Sequence, residues 1–167
     1  ATLPETPTLL PEVAARWAEQ WGDAMPDEAA KAFVVRPPVD LSLRNADETA
    51  MWAEKLGGVS LAPGHVRLPD HDAITALPGF DDGAWWVQDL AASIPARLLG
   101  NGAGRSVLDL CAAPGGKTMQ LAAGGWAVTA LDQSAKRLTR LSDNLARVDL
   151  SAKVVTADLR NWTPEAP

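Results

Sequence analysis

The run Val107-Leu108-Asp109-Leu110-Cys111-Ala112-Ala113-Pro114-Gly115-Gly116-Lys117-Thr118 concentrates the chemistry of this chain. An apolar strand that ends in a tight glycine turn and opens a helix aims free backbone N–H groups at a ligand. A nucleoside triphosphate would need G-x-x-x-x-G-K-[ST] at such a turn. Gly116-Lys117-Thr118 supplies the end of that pattern, but Cys111 stands where its first glycine belongs, and Pro114 removes a donor. A dinucleotide would need G-x-G-x-x-G, and Gly115-Gly116 lack the spacing.

Acids surround the turn. Asp132 ends the next strand, ~20 residues on, where a ribose-binding carboxylate belongs by analogy with dinucleotide folds. Asp158 ends a third strand on the same carboxyl edge, and Asp109 closes the first. Three carboxylates repel a polyphosphate and attract a cation. S-adenosylmethionine fits this pattern, since it carries a sulfonium and no phosphate. Taken singly, each Asp is equally a strand-end or helix-cap residue. Three around one glycine turn point to a ligand.

The elements that hold these residues read as strand–helix–strand–helix–strand. Val107–Leu110 is a buried-type strand and Lys117–Ala123 a helix stopped by Gly124–Gly125. Ala127–Leu131 is the second strand. Ser134 caps a helix with Leu138, Leu141, Leu145 and Val148 at spacings of 3, 4 and 3, and Lys153–Ala157 is the third strand. Short connections of this kind imply a parallel sheet with right-handed crossovers. Upstream, Leu90–Leu99 is helical with a kink expected at Pro95.

Residues 1–83 read as a small α+β module, joined to residues 84–167 through Pro78–Gly83. Pro11–Gln20 and Asp27–Phe33 are helical, with Gly22 a stop for the first. Val39–Arg44 alternates as a strand, and Asn45 to Glu48 forms a helix cap with a reciprocal carboxylate. The helix it opens carries Trp52 and ends at Gly57–Gly58. Short strands are expected near Val59–Leu61, His65–Leu68 and Ile74–Leu77.

Of 167 residues, 47% are hydrophobic and 22% charged, which is a globular composition. No apolar stretch approaches the ~20 residues a membrane span needs. Thr2, Pro4, Glu5 and Pro7 interrupt any secretory signal, and Cys111, the single cysteine, excludes an internal disulfide and suits a cytoplasmic protein. Net charge is −6: residues 1–104 carry 7 Lys+Arg against 15 Asp+Glu, and residues 105–167 carry 8 against 6. An acidic chain is a poor general binder of nucleic acid, so any RNA contact must come from a specific site. His65 and His71 have no partners at metal spacing, so no metal site is expected.

The cofactor run resembles that of the Sun/RsmB/NSUN family of RNA (cytosine-5) methyltransferases. Gln88-Asp89-Leu90-Ala91-Ala92-Ser93 is similar to the stretch that precedes it, Leu131-Asp132-Gln133-Ser134 through Arg137-Leu138 to the second cofactor motif, and Ala157-Asp158 to the third. The resemblance covers roughly Arg44 to Asp158. It implies an α/β fold in which a small RNA-recognition-like module precedes the first half, three parallel strands, of a class I Rossmann-like methyltransferase domain. It further implies that Cys111, Ala112, Ala113, Pro114, Gly115, Gly116 and Lys117 bind S-adenosylmethionine, Asp132 its ribose and Asp158 the adenine side. The substrate implied is RNA, most often ribosomal.

Methylating cytosine at C5 requires a thiolate to add at C6. The family supplies it from a Pro-Cys pair and a Thr-Cys-Ser on later strands, expected beyond Pro167. Cys111 is read as a small buried residue packing the turn, so no catalytic residue is assigned in this chain. Without a fourth strand, Val107–Leu110 is expected to be an exposed apolar edge able to pair two copies. A non-catalytic binder of cofactor or RNA and a P-loop-like nucleotide-binding domain are the alternatives. Trp17, Trp21 and Trp52 are expected in a core, with at most one of Trp85 and Trp86 facing inward. Arg137, Arg140 and Arg147 are read as a solvated helix face, and Lys117 as a partner for the methionine carboxylate or for nearby carbonyls.

Overall fold

The computed structural model describes residues 7–69 and 73–164, so His71 and Thr2 to Glu5 lie outside it. Contacts group the chain into two compact units, residues 1–37 and residues 38–167. In the first, α1 (Pro11–Trp21) starts on a proline already fixed at a helical φ and stops at Gly22, with φ 96°. A second helix, α2 (Met25–Ala32), follows. Trp17 packs edge-on to Trp21 and tilted against Phe33, at centroid distances of 5.9 and 6.4 Å. Trp21 is 57% exposed, which corrects its expected core position: it lies on the rim of this aromatic cluster.

The second unit contains two sheets. The antiparallel sheet has the order β2-β1-β3, from β1 (Val39–Leu43), β2 (His65–Leu68) and β3 (Trp85–Val87). Asn45 caps a 3-10 turn by accepting from the Asp47 N–H, and its amide donates to Glu48 at 3.1 Å. The helix α3 (Thr49–Lys55) follows and carries Trp52 into the core with Leu41, Leu43, Val66, Leu68 and Trp85. Val59 makes only an isolated bridge to Arg67, and Ile74–Ala76 is a 3-10 turn instead of the strand expected.

The other face of this sheet is buried and, along β1 and β2, polar. Asp40 accepts from Arg67 Nε at 2.7 Å, from Arg67 Nη2 at 2.8 Å and from the Leu90 backbone N–H at 2.9 Å. His65 Nε2 lies 3.2 Å from the same carboxylate. The Arg67 guanidinium, above all, holds the Asp40 carboxyl well below the ordinary range, against the opposing effect of burial. This cluster joins the sheet to α4 (Leu90–Leu99), which Asp89 caps through the Ala91 and Ala92 N–H groups. That helix runs through Pro95 in one piece, losing one rung but held by its cap and by packing on neighbours.

The parallel sheet has the order β4-β5-β6: β4 (Ser106–Asp109), β5 (Ala127–Asp132) and β6 (Lys153–Thr156), with α5 (Gly116–Ala123) and α6 (Ala135–Arg147) as crossovers. Leu138, Leu141 and Leu145 bury the apolar stripe of α6 against Ala130, Met119 and Trp86. Strand β4 stands at the sheet edge, with Leu108 42% exposed.

The change of sheet falls after Val87 and not at Gly83, because Trp85–Val87 pairs with β1. Trp85 belongs to the core of the antiparallel sheet and Trp86 to that of α6, so both are buried. The expectation that only one faces inward fails because β3 has a hydrophobic layer on each side. Gly83 makes this close approach possible: it has φ +63°, and a Cβ there would stand 2.1 Å from the Arg147 carbonyl oxygen. Arg147 itself donates to the Phe80 carbonyl at 2.6 Å and the Trp85 carbonyl at 3.1 Å, and stacks on Phe80. It is a structural tie, correcting its reading as part of a solvated face, and burial pushes its guanidinium pKa down.

Candidate cofactor site

Between β4 and α5 the chain makes the turn expected from its glycines. Gly115 takes φ +112°, a region other residues rarely enter, and a Cβ there would meet Leu141 Cγ at 3.2 Å. The turn is fixed from two sides. The Ala112 N–H donates to the Leu131 carbonyl at 3.0 Å, and the Ala113 N–H to Asp132 Oδ2 at 3.3 Å. Behind it, Trp86 donates to Gln88, Gln88 to Gln120, and Gln120 to the Ser93 carbonyl, a relay with links of 2.9, 2.9 and 3.0 Å.

Two cavities open on the carboxyl edge of the parallel sheet. One, of about 200 Å³, is walled by Leu131 and Leu159 and edged by Asp132, Asp158 and Arg137. The other, of about 230 Å³, is bounded by Asp109, Gln88, Asp89 and the turn from Cys111 to Lys117. Leu110-Cys111 lies at their meeting point, and Cys111 lines both. Cys111 is exposed, which corrects its reading as a buried packing residue: it lines both cavities.

Of the residues singled out, Cys111, Ala112, Ala113, Pro114, Gly116 and Lys117 line the second cavity, while Cys111, Asp132 and Asp158 line the first. Gly115 lines neither, serving the turn from within. Asp132 is buried, accepts from the Ser134 N–H at 3.0 Å, and pairs with Arg137 at 3.1 Å. Asp158 caps the 3-10 turn Leu159–Asn161 and pairs with Arg160, whose guanidinium holds its carboxyl below the ordinary range. Lys117 is exposed, and among the described residues it donates to no carbonyl. Arg137, read from sequence as solvated, instead reaches Asp132 and the Ala113 carbonyl. Its place beside Leu138, on the polar flank of the α6 stripe, gave no sign of that reach.

Thr118 decides against a triphosphate. A P-loop spends this hydroxyl on magnesium, whereas here it is fully buried and donates to Asp109 at 2.7 Å. Among the described residues no group of three His, Cys, Asp or Glu is placed to hold a metal ion, and no helix is long and apolar enough to cross a membrane. The two cavities, adjoining at Cys111, together present the buried Asp132 carboxylate, Asp109, Asp158 and the exposed apolar Leu159.

The family described as 16S rRNA methyltransferase RsmB/F matches residues 96–166. Ribosomal RNA small subunit methyltransferase B of Erwinia tasmaniensis is 38% identical over 168 residues, covering 95% of this chain and 38% of that protein. The protein of the same name from Pseudomonas putida is 37% identical, covering 87% and 35%. The chain thus spans little more than a third of the curated relatives it matches. Among solved structures, a methyltransferase homolog from Pyrococcus horikoshii superposes with TM-score 0.68 at 22% identity, covering 89% of this chain and 56% of the other. NSun6 from the same organism, solved with SFG, gives 0.75 at 14%, covering 92% and 66%. These two establish the fold: a partial Rossmann-like methyltransferase domain, mixed α/β, behind a small antiparallel module. In sequence the chain is similar to the RsmB/F 16S rRNA methyltransferases, and in fold to methyltransferase homologs, as the Sun/RsmB resemblance implies.

Proposed function

We propose that this chain is the S-adenosylmethionine-binding portion of a cytoplasmic enzyme that forms 5-methylcytosine in ribosomal RNA. The observation that carries the reading is the trough formed by two cavities that share Cys111, one arm edged by the buried Asp132 and the other by the first residues of α5. The relatives' names supply the RNA substrate.

The chain's own residues divide the work. Leu159, exposed at the rim, offers an apolar surface to the adenine, Asp132 accepts from the ribose hydroxyls, and Asp158 stands on the adenine side. Asp109 and Asp132 set a negative potential that favours the sulfonium over the neutral product. The first N–H groups of α5, with Lys117, take the methionine carboxylate. When bound, the cofactor supplies an electrophilic methyl group. The thiolate that must add to cytosine C6 is not Cys111, which lies in the cofactor turn, so these 167 residues bind donor without turnover.

Isothermal titration with S-adenosylmethionine, S-adenosylhomocysteine and ATP–Mg²⁺ tests the assignment, alongside alkylation of Cys111 by iodoacetamide. Both adenosyl ligands are expected to bind and to slow alkylation at least tenfold. Stabilisation by ATP–Mg²⁺ alone, or unchanged alkylation under saturating adenosyl ligand, overturns it. Incubation with labelled donor and deproteinised small-subunit rRNA should yield no labelled 5-methylcytosine; a labelled product would refute the assignment of these residues as a binding portion only.

A further inference from the structure

Arg137 joins two parts of the trough that no backbone hydrogen bond of its own helix requires. It projects from the first turn of α6. One nitrogen pairs with Asp132 Oδ2 at 3.1 Å, and Nη2 donates to the Ala113 carbonyl in the turn after β4. The same Asp132 carboxylate accepts from the Ala113 N–H. Ala113 is therefore gripped at both its polar atoms, by the arginine at C=O and by the carboxylate at N–H. A second tie lies beside it, where Asn144 donates to the Pro114 carbonyl at 3.0 Å. Helix α6 thus holds the cofactor turn by its carbonyls, while β5 holds it by an amide.

The guanidinium is suited to this double duty. Its planar fork presents donors in fixed directions, so one group satisfies a carboxylate and a carbonyl together, which an ammonium cannot do with the same geometry. Asp132 is nearly fully buried, whereas the Arg137 side chain is 54% exposed and lines the adenosyl arm. A carboxylate has about four acceptor sites; the Ala113 and Ser134 N–H groups and Arg137 Nη1 occupy three, leaving one for a diol where Asp132 lines the adenosyl arm. Its rotamer is set before ligand arrives.

We infer that Arg137 is a positioning residue of the adenosyl site, acting through Asp132 and Ala113 to fix the ribose-binding carboxylate against the cofactor turn. This rests on the proposed binding of S-adenosylmethionine in the trough. The role belongs to the guanidinium and not to positive charge alone, so Arg137→Lys keeps the charge and loses the function.

The test is a double-substitution cycle on the 167-residue chain, read by titration with S-adenosylhomocysteine and its 2′-deoxyribose analogue, with thermal midpoints as a fold check. Arg137→Gln should weaken S-adenosylhomocysteine about tenfold, Arg137→Lys nearly as much, and Asp132→Asn about thirtyfold. Arg137→Gln in the Asp132→Asn background should add less than twofold, since the residue through which it acts is already disabled. Against the 2′-deoxy analogue the Arg137→Gln effect should shrink to threefold or less. Equal losses on both ligands, or full additivity of the two substitutions, overturn the inference while leaving the cofactor assignment standing. Failure of the unsubstituted chain to bind S-adenosylhomocysteine overturns both.

Discussion

Replacing Asp40 with Asn removes the charge on which the buried polar face of the antiparallel sheet is built. The carboxylate accepts two hydrogen bonds from Arg67, one from the Leu90 N–H, and faces His65 at 3.2 Å. Breaking a buried ion pair by removing one partner costs ~3–5 kcal/mol. Arg67 is 34% exposed, so water recovers part of its solvation, and the amide oxygen still accepts one bond. The expected loss is therefore about 2–3 kcal/mol. With a urea m-value of roughly 2 kcal/mol/M, the midpoint should fall by ~1–1.5 M.

The pH dependence has a fixed sign. Because the folded Asp40 carboxyl is held below its ordinary value, its contribution is complete above pH ~4 and fades as pH falls toward the folded value. The gap between wild type and Asp40→Asn, measured by urea melts from pH 7 to pH 2.5, should narrow below pH ~4. A midpoint shift under ~0.2 M at pH 7, or a gap that widens in acid, refutes the argument.

Gly115→Ala should lower stability by ~1–2 kcal/mol and abolish adenosyl binding in titration, since the turn needs its left-handed φ. Gly83→Ala should cost more, ~3 kcal/mol by chemical denaturation, because the new methyl collides with backbone and not with a movable side chain. Lys117→Gln should leave the thermal midpoint unchanged, as the side chain is exposed, yet weaken S-adenosylmethionine three- to tenfold by calorimetry. Equal affinity would remove Lys117 from the site.

The parallel half was legible because its signals are local. Apolar runs, glycine stops and the Leu138–Leu141–Leu145 stripe each specify an element without reference to distant parts, and the strand-end acids follow from them. Errors arose where a second layer intervened. Val39–Leu43 alternates as a strand, but that pattern does not tell that Asp40 and Ser42 are buried, Asp40 by its contacts with Arg67 and the start of α4. Trp85 and Trp86 share the same cause. Arg137 and Arg147 sit on the polar side of α6, and only the approach of Ala113, Asp132 and Phe80 turns them into ties. Long side chains carry no periodic mark of what they reach.

Strand β3 has a consequence for protein engineering. Its three residues supply the edge strand of one sheet while Trp86 packs in the cluster that holds Ala112 and Ala113 of the β4–α5 turn, and the Trp86–Gln88–Gln120 relay continues from it. A chimera joined at Gly83 would leave the incoming front module without an edge partner and hand its tryptophan to a foreign seat. Exchange of the antiparallel sheet between chains of this fold should succeed only at seams placed beyond Gln88, where the transplanted piece brings its own closing strand.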